Sequence, residues 1–295
     1  MSWFQTLRKK AFIKMLKVLA REDLSAEETR KKFYKLMSFF PASKDVEFTS
    51  TQVGTLSAVW AHAPGCTRKR VILYFHGGGY NSGSFPSHQD LIGRLAKATG
   101  CDVFAPSYRL APENPFPAAL EDAQAAYSYL THQIAPQNII FAGSSAGGGL
   151  LLALLIKLAS SKEPLPLAAI CICPWVDLAL TGKTLDTNHG KDWIKKKAVQ
   201  ATADMYLQGH DPKDPLASPL YANLHGFPPL LIQAGSNEIL LDEIQRLAKK
   251  AEESGVRVNL QIFDQMIHHW QLFSRVIPEG QQAIDQIGEY VKKIP

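Results

Sequence analysis

A serine between small residues has the spacing of an enzymatic nucleophile. The sequence reads G-S-S-A-G over residues 143–147, after an apolar run at 139–142 and before a helical pattern. A strand, a sharp turn and a helix in this order expose the middle serine above the edge of a sheet. Flanking glycines are needed because larger side chains would collide with the backbone of such a turn. The pattern predicts Ser145 as a nucleophile, with the N–H of Ala146 at the helix start.

A glycine-rich run follows an earlier strand-like segment. His76-Gly77-Gly78-Gly79 comes directly after the apolar residues 71–75. Hydrolases with a G-x-S-x-G serine build the remainder of their oxyanion hole at this place. Acyl transfer develops a negative oxygen, which prearranged backbone N–H groups stabilise. A phosphate loop is the alternative, but neither G-x-G-x-x-G nor a G-K-[ST] ending is present.

The serine needs a base to take its proton and an acid to hold the base. In this topology the chain order is serine, acid, histidine. Downstream of Ser145, Glu238 follows the strand-like residues 230–234, and His268 follows the strand-like residues 258–263. Both lie on predicted loops beyond strand ends, so Glu238 is the predicted acid and His268 the predicted base.

Three neighbouring residues are alternatives that the sequence leaves open. Asp242 lies on the helix after Glu238, where an acidic residue complements the helix dipole. Asp264 lies at a strand end and close to His268 in sequence. His269 adjoins His268, and composition does not exclude it as the base.

The elements around these motifs alternate between strand and helix. This alternation is typical of an α/β protein with a mostly parallel sheet flanked by helices. The predicted strands are residues 71–75, 101–105, 139–142, 167–173, 230–234 and 258–263. The predicted helices are residues 88–99, 117–133, 147–160, 242–254 and 278–293.

Two segments do not fit the alternation. Residues 1–45 and 178–215 are therefore predicted to form a small helical cap, and residues 46–177 and 216–295 the catalytic core. An insertion after a strand of such a sheet lies near the ligand-binding edge. Residues 1–20 have an apolar helical stripe with several lysines, which fits a lid helix packed on the domain or an interfacial helix in weak contact with a membrane surface.

Composition excludes several function classes. The chain has 295 residues, 46% hydrophobic and 20% charged, with a formal net charge of +5, which is typical of a globular protein. The sequence has no basic run interleaved with aromatic residues, which argues against nucleic-acid binding. Four cysteines, none in C-x-x-C spacing, favour a reducing, cytoplasmic compartment and no metal site. Cys171 and Cys173 are two apart on a predicted strand, so both should pack on one face.

Several motifs together resemble the hormone-sensitive-lipase-like branch of the α/β-hydrolases, the bacterial family IV esterases. The matching runs are H-G-G-G at 76–79, Y-R-L-A-P-E at 108–113, G-x-S-x-G at 143–147, D-P-L-A-S-P-L at 214–220, S-N-E-I-L-L-D-E at 236–243 and M-I-H at 266–268. The resemblance implies an α/β-hydrolase fold whose cap joins the N-terminal segment to the middle insertion. It also implies a triad of Ser145, Glu238 and His268, and an oxyanion hole of Gly78, Gly79 and Ala146.

Three positions depart from the family's usual motifs. Ser144 stands where Asp is common, Glu238 replaces the usual triad Asp, and His268-His269-Trp270 replaces His-Gly-Phe. Serine instead of aspartate at position 144 changes the side chain that supports the turn at Ser145. Glutamate at position 238 is chemically tolerable, because it carries the same carboxylate one methylene further out. The run His268-His269-Trp270 bears on the choice between His268 and His269 as the base.

The predicted activity is hydrolysis of a small-molecule carboxylic ester through an acyl-enzyme, without metal or organic cofactor. The resemblance implies short to medium acyl chains, and lactone hydrolase or deacetylase activity stays open. A non-catalytic receptor is a further alternative, disfavoured because His268 is present, and homodimerisation is left open. An apolar substrate pocket is predicted to use Tyr80, Phe85, Trp193, Tyr206 and Trp270.

Overall fold

A computed structural model of the chain describes residues 3–19 and 24–295 and places its strands in one eight-stranded sheet. The strands are β1 (Glu47–Val53), β2 (Leu56–His62), β3 (Thr67–Phe75), β4 (Cys101–Pro106), β5 (Ile139–Ser144), β6 (Ala168–Ile172), β7 (Leu230–Gly235) and β8 (Val258–Phe263). Their order across the sheet is β1-β2-β4-β3-β5-β6-β7-β8. The β1–β2 and β2–β4 pairs are antiparallel, and every other pair is parallel. The predicted mostly parallel sheet is confirmed.

The hairpin of β1 and β2 is absent from the sequence prediction. No residue of β1 is fully buried, so the strand lacks the apolar pattern on which strand prediction relies. It extends the sheet at one edge through β2, which pairs with β4. The hairpin therefore lies at the opposite end of the sheet from β7 and β8.

Helices cover both faces of the sheet. They are α1 (Trp3–Leu19), α2 (Ala26–Met37), α3 (Phe85–Thr99), α4 (Ala118–Thr131), α5 (Ala146–Ser160), α6 (Thr184–Thr187), α7 (Lys196–Leu207), α8 (Leu241–Glu253) and α9 (Pro278–Lys293). The five helices predicted from the sequence correspond to α3, α4, α5, α8 and α9, with small differences at their ends.

Side chains that alternate along the strands form two hydrophobic layers. Leu73 and Phe141 point to the face covered by α4, α5 and α8. Ile72 and Ile140 point to the face covered by α3 and α9. Burial of each such side chain stabilises the fold by about 1.5–3 kcal/mol. Because β3, β5, β7 and β8 run in parallel, the loops after their carboxyl ends meet along one edge of the sheet.

The N-terminal segment packs on the layer beneath α3 and α9. Leu16 of α1 is buried in that layer. The ring of Phe12 contacts Phe273 at 5.2 Å and Phe40 at 6.0 Å between centroids. Helix α2 begins with a capping box between Ser25 and Glu28. Residues 1–2 and 20–23, which belong to the predicted cap segment, lie outside the described residues.

The insertion of residues 178–215 lies between β6 and β7. It contains the short helix α6, an irregular polar stretch and the longer helix α7. Across the described ranges, every helix is too short or too polar to span a bilayer.

The prediction that Cys171 and Cys173 share one face is wrong. Strand β6 ends at Ile172, and Cys173 has a positive φ of 47°. The turn directs the two side chains into different hydrophobic layers. Both are buried free thiols, and burial raises their pKa.

Candidate active site

Ser145 lies on a tight turn between β5 and α5. Its backbone has φ 53° and ψ −121°, a conformation that residues with side chains rarely adopt. A Cβ on Gly147 would lie 2.1 Å from the carbonyl oxygen of Phe75, and one on Gly143 would lie 2.3 Å from that of Gly147. Only glycine fits both positions. The turn directs the Ser145 hydroxyl beyond the end of β5.

Ser144 supports this turn from within the core. Its hydroxyl lies 2.8 Å from that of Tyr74, and both side chains are fully buried. The serine at this departure from the family motif is therefore hydrogen-bonded locally.

An imidazole lies within hydrogen-bond distance of the Ser145 hydroxyl. Oγ of Ser145 is 2.8 Å from Nε2 of His268. Nδ1 of the same ring is 3.4 Å from Oε2 of Glu238, which is fully buried. With its proton on Nδ1, the ring can accept the serine proton at Nε2 while the carboxylate stabilises the resulting imidazolium. The structure thus brings together the three residues predicted as nucleophile, base and acid.

The three alternatives lie elsewhere. Asp242 is in the first turn of α8, 3.5 Å from Arg246. Asp264 accepts a hydrogen bond from the hydroxyl of Ser236. The ring of His269 is buried beside that of His88, and burial lowers its pKa well below the usual value.

The glycine-rich loop after β3 carries backbone donors. Gly78 and Gly79 have φ of 124° and 63°. A Cβ on Gly78 would lie 2.3 Å from the carbonyl oxygen of Ser82. Among the hydrogen bonds of the described residues, none uses the N–H of Gly78, Gly79 or Ala146. These three predicted donors are available for a developing oxyanion.

Buried histidines support the glycine-rich loop from below. Nε2 of His88 accepts the N–H of Gly77 at 3.2 Å. The ring of His76 stacks on Tyr108 at 4.2 Å, and the Tyr108 hydroxyl donates to the carbonyl of His76. Burial lowers the pKa of His76 to about 4 and that of His88 well below its usual value. Both rings are therefore neutral near pH 7.

Three predicted pocket aromatics lie beside the catalytic loops. Tyr80 follows the glycine-rich loop and stacks on Tyr206 of α7 at 3.9 Å. The indole N–H of Trp193 donates to the carbonyl of His268 at 2.8 Å. Tyr80 and Tyr206 are almost fully buried, and Trp193 is half-buried.

The other two predicted pocket residues, Phe85 and Trp270, pack against core side chains. Phe85 begins α3, and its ring packs on Phe48 of β1 at 5.0 Å. Trp270 is fully buried, its ring lies 5.0 Å from that of Phe263 between centroids, and its indole N–H donates to the carbonyl of Glu279. Full burial of Trp270 argues against direct contact with substrate, whereas Phe85 is half-buried and its place in the pocket stays a prediction.

The sequence analysis missed Asp192. This buried residue of the insertion accepts the main-chain N–H of His268 at 2.9 Å and that of Ile239 at 3.0 Å. Burial, and to a smaller extent the charge of Glu238, raise the pKa of Asp192 to about 6. Asp192 stands in a polar stretch with no motif, so the sequence carries no local signal for this role.

A thiol also lies beside the acid and the base. Ligand atoms of Cys173, Glu238 and His268 lie within 4.8 Å of one another, a spacing that a metal ion can bridge. Nδ1 of His268 already faces Oε2 of Glu238 at 3.4 Å. A metal ion bound between these two atoms would replace this contact between the imidazole and the carboxylate. We therefore interpret these atoms as part of the serine–histidine–glutamate arrangement.

Comparisons with known proteins identify relatives of this chain and solved structures with the same fold. The family described as alpha/beta hydrolase fold matches residues 72–272. An acetyl-hydrolase of Streptomyces hygroscopicus is 43% identical, covering 81% of this chain and 81% of that protein. An esterase of Acinetobacter venetianus is 34% identical over 92% of this chain and 90% of that protein. A crystal structure of an esterase from the bacterial hormone-sensitive lipase family has a TM-score of 0.94 at 41% identity, covering 97% of this chain and 98% of that chain.

Proposed function

Because the chain belongs to the hormone-sensitive-lipase-like branch of the α/β-hydrolases and is a carboxylic-ester hydrolase, we propose that it cleaves esters of short to medium acyl chains through an acyl-enzyme on Ser145. The observation that carries the proposal is the 2.8 Å distance from Ser145 Oγ to His268 Nε2. Neither a structural serine nor a pocket for mere binding requires this contact on a strained turn.

The reaction has two halves. His268 takes the proton of Ser145 as the hydroxyl attacks the ester carbonyl, and Glu238 stabilises the imidazolium. The N–H groups of Gly78, Gly79 and Ala146 donate to the oxyanion. His268 then gives its proton to the leaving alcohol. Water attacks the acyl-enzyme by the same route and releases the acid.

The preference for short acyl groups rests on the contact between α7 and the glycine-rich loop. A Cβ on Gly79 would lie 2.5 Å from the Cγ2 methyl of Thr202, so that methyl lies directly above the loop. Asn81, two residues on, donates to the thioether of Met205. The position of this methyl above the loop favours a short acyl group, and the relative named acetyl-hydrolase points the same way.

The acyl preference can be measured with p-nitrophenyl esters of increasing acyl length, assayed beside a lactone panel and an N-acetylated amine panel. We expect the highest kcat/KM for acetate to butyrate and a decline for longer chains. Faster turnover of a lactone or of an acetylated amine than of every ester would assign the same site to lactone hydrolysis or deacetylation instead. A maximum at long acyl chains would contradict the short-acyl proposal.

The predicted cap and its membrane contact extend this proposal. We propose that residues 1–45 and 178–215 cover the catalytic edge, and that the outward face of α1 makes weak contact with anionic lipid. Leu7, Met15 and Val18 are exposed on α1, beside the exposed lysines Lys10 and Lys14. An apolar stripe flanked by lysines is typical of interfacial helices.

Co-sedimentation with phosphatidylserine vesicles tests the lipid contact. The double variant Leu7→Glu and Val18→Glu should lose binding while keeping hydrolysis of soluble esters. Equal recovery of both proteins with the vesicles, or none of either, would refute the lipid contact without affecting the chemistry.

A further inference from the structure

The insertion binds the main chain of both catalytic loops through one short segment. Asp192 uses Oδ1 to accept the N–H of His268 at 2.9 Å, and Oδ2 to accept the N–H of Ile239, which follows Glu238, at 3.0 Å. One carboxylate thus connects the loop of the base to the loop of the acid. Its side chain is buried, so water does not compete for these bonds.

Neighbouring side chains of the same segment strengthen the connection. The indole of Trp193 donates to the carbonyl of His268 at 2.8 Å. The amide of Asn188 donates to the carbonyl of Glu238 at 2.9 Å. Thr184 donates its hydroxyl to the carbonyl of Ile239 at 2.8 Å. Residues 184–193 therefore hold both the N–H and the C=O of His268, and the main chain on both sides of the Glu238–Ile239 peptide bond.

The charge balance indicates why the segment uses a carboxylate here. A buried carboxylate loses its hydration, at a substantial cost in free energy. The titratable groups that face Asp192 are His268, Glu238 and Cys173, and burial with the Glu238 charge disfavours its ionised form. Main-chain N–H bonds from two loops, together with the charge that His268 acquires during the reaction, favour the ionised form. The groups that Asp192 positions therefore offset part of the free-energy cost of burying its carboxylate.

We propose that Asp192 is a positioning residue which, together with Thr184, Asn188 and Trp193, sets the distances between Ser145, His268 and Glu238. The inference rests on the proposed function and deepens it. The base loop and the acid loop follow different strands, and a shift of either by about 1 Å is enough to reduce catalysis about 10²-fold.

The test is the variant Asp192→Asn, in which an amide nitrogen replaces one acceptor oxygen and faces a main-chain N–H. We expect kcat to fall about 10²-fold with KM changed by about twofold or less, and the same fall in the rate of fluorophosphonate labelling. Asp192→Glu keeps both acceptor oxygens and should recover part of the loss. The matched control is Asp186→Asn in the same insertion, where the exposed carboxylate pairs only with Lys196; it should keep wild-type kcat.

A second variant covers the case in which Asp192→Asn does not fold. Trp193→Phe removes one donor to the His268 carbonyl but keeps a ring beside Phe273, and it should lower kcat about fivefold. A kcat within about twofold of wild type for folded Asp192→Asn, or for Trp193→Phe, would overturn the proposal. Full activity of Ser145→Ala would instead overturn the proposed nucleophile. Failure of the positioning proposal and failure of the proposed function are therefore distinguishable.

Discussion

The two parts of the insertion contact the active site in different ways. Residues 184–193 bind main-chain atoms of the base and acid loops through buried side-chain hydrogen bonds. Helix α7 instead contacts the glycine-rich loop through the stacked rings of Tyr206 and Tyr80 and through the methyl of Thr202. Hydrogen bonds are directional and set positions, whereas apolar contacts set volume. Changes in the first part should slow every substrate, and changes in the second should alter which substrate is preferred.

The largest effect is expected at Ser145, the proposed nucleophile, whose hydroxyl lies 2.8 Å from Nε2 of His268. Ser145→Ala should lower kcat about 10⁴-fold or more for every ester, because it removes the hydroxyl that lies beside His268 and forms the proposed acyl-enzyme. Ser144→Ala is the matched control: it removes the bond to Tyr74, should cost about 1 kcal/mol of stability and should stay active. Equal losses of activity in the two variants would show that the turn, and not the hydroxyl, is what matters.

The next largest effect is expected in the glycine-rich loop beneath α7. A methyl on Gly78 meets the carbonyl oxygen of Ser82, so Gly78→Ala should displace the donor and lower kcat about 10²–10³-fold. The control is Gly54→Ala, because Gly54 also has positive φ but has open space around it. Steady-state kinetics on folded protein, checked by circular dichroism, measures the difference. Comparable kcat in both variants would remove Gly78 from the oxyanion hole.

A smaller, selective effect is expected in α7. Thr202→Ala removes the methyl above Gly79 and should raise kcat/KM for hexanoate relative to acetate about tenfold, since one methylene in an apolar pocket changes rates by 10-fold or more. Thr202→Val keeps the shape and should leave the ratio unchanged. An equal change in kcat/KM for all acyl lengths would indicate that α7 also positions the catalytic groups. The contrast between α7 and residues 184–193 would then not hold.

The smallest effect is a pH dependence of stability that has opposite signs for the buried histidines under the glycine-rich loop and for Asp192. His76 and His88 have lowered pKa values, so their contribution to stability is present above about pH 6.5 and is lost as pH falls towards about 4. Asp192 has a raised pKa of about 6, so its contribution is present at low pH and is lost as pH rises through about 6.

Urea unfolding at several pH values measures how the free energy of unfolding depends on these groups. Wild type should lose stability from pH 7 to pH 5, and His88→Gln should lose less. Asp192→Asn should gain stability relative to wild type as pH rises from 4 to 7. A pH-independent difference between Asp192→Asn and wild type would mean that the Asp192 carboxyl titrates as it does in the unfolded chain.

Local sequence was sufficient to predict the tight turn at Ser145 and the glycine-rich loop after β3. The flanking glycines and preceding strand encode the turn at Ser145 within a few residues, and the parallel sheet follows from the alternation of strands and helices. Asp192 was not predictable in this way, because its partners are 47 and 76 residues away and are main-chain groups, which every residue has. The side-chain direction of Cys173 was misjudged because residue type and periodicity do not reveal that the strand ends at Ile172 and that the chain turns there.

The most direct test of the central claim is labelling by a fluorophosphonate followed by mass spectrometry of the intact and digested protein. We predict one adduct per chain, on Ser145, formed much more slowly in His268→Ala and absent in Ser145→Ala. An adduct on another residue, or full ester hydrolysis by protein that does not label, would contradict an active serine held at 2.8 Å from His268.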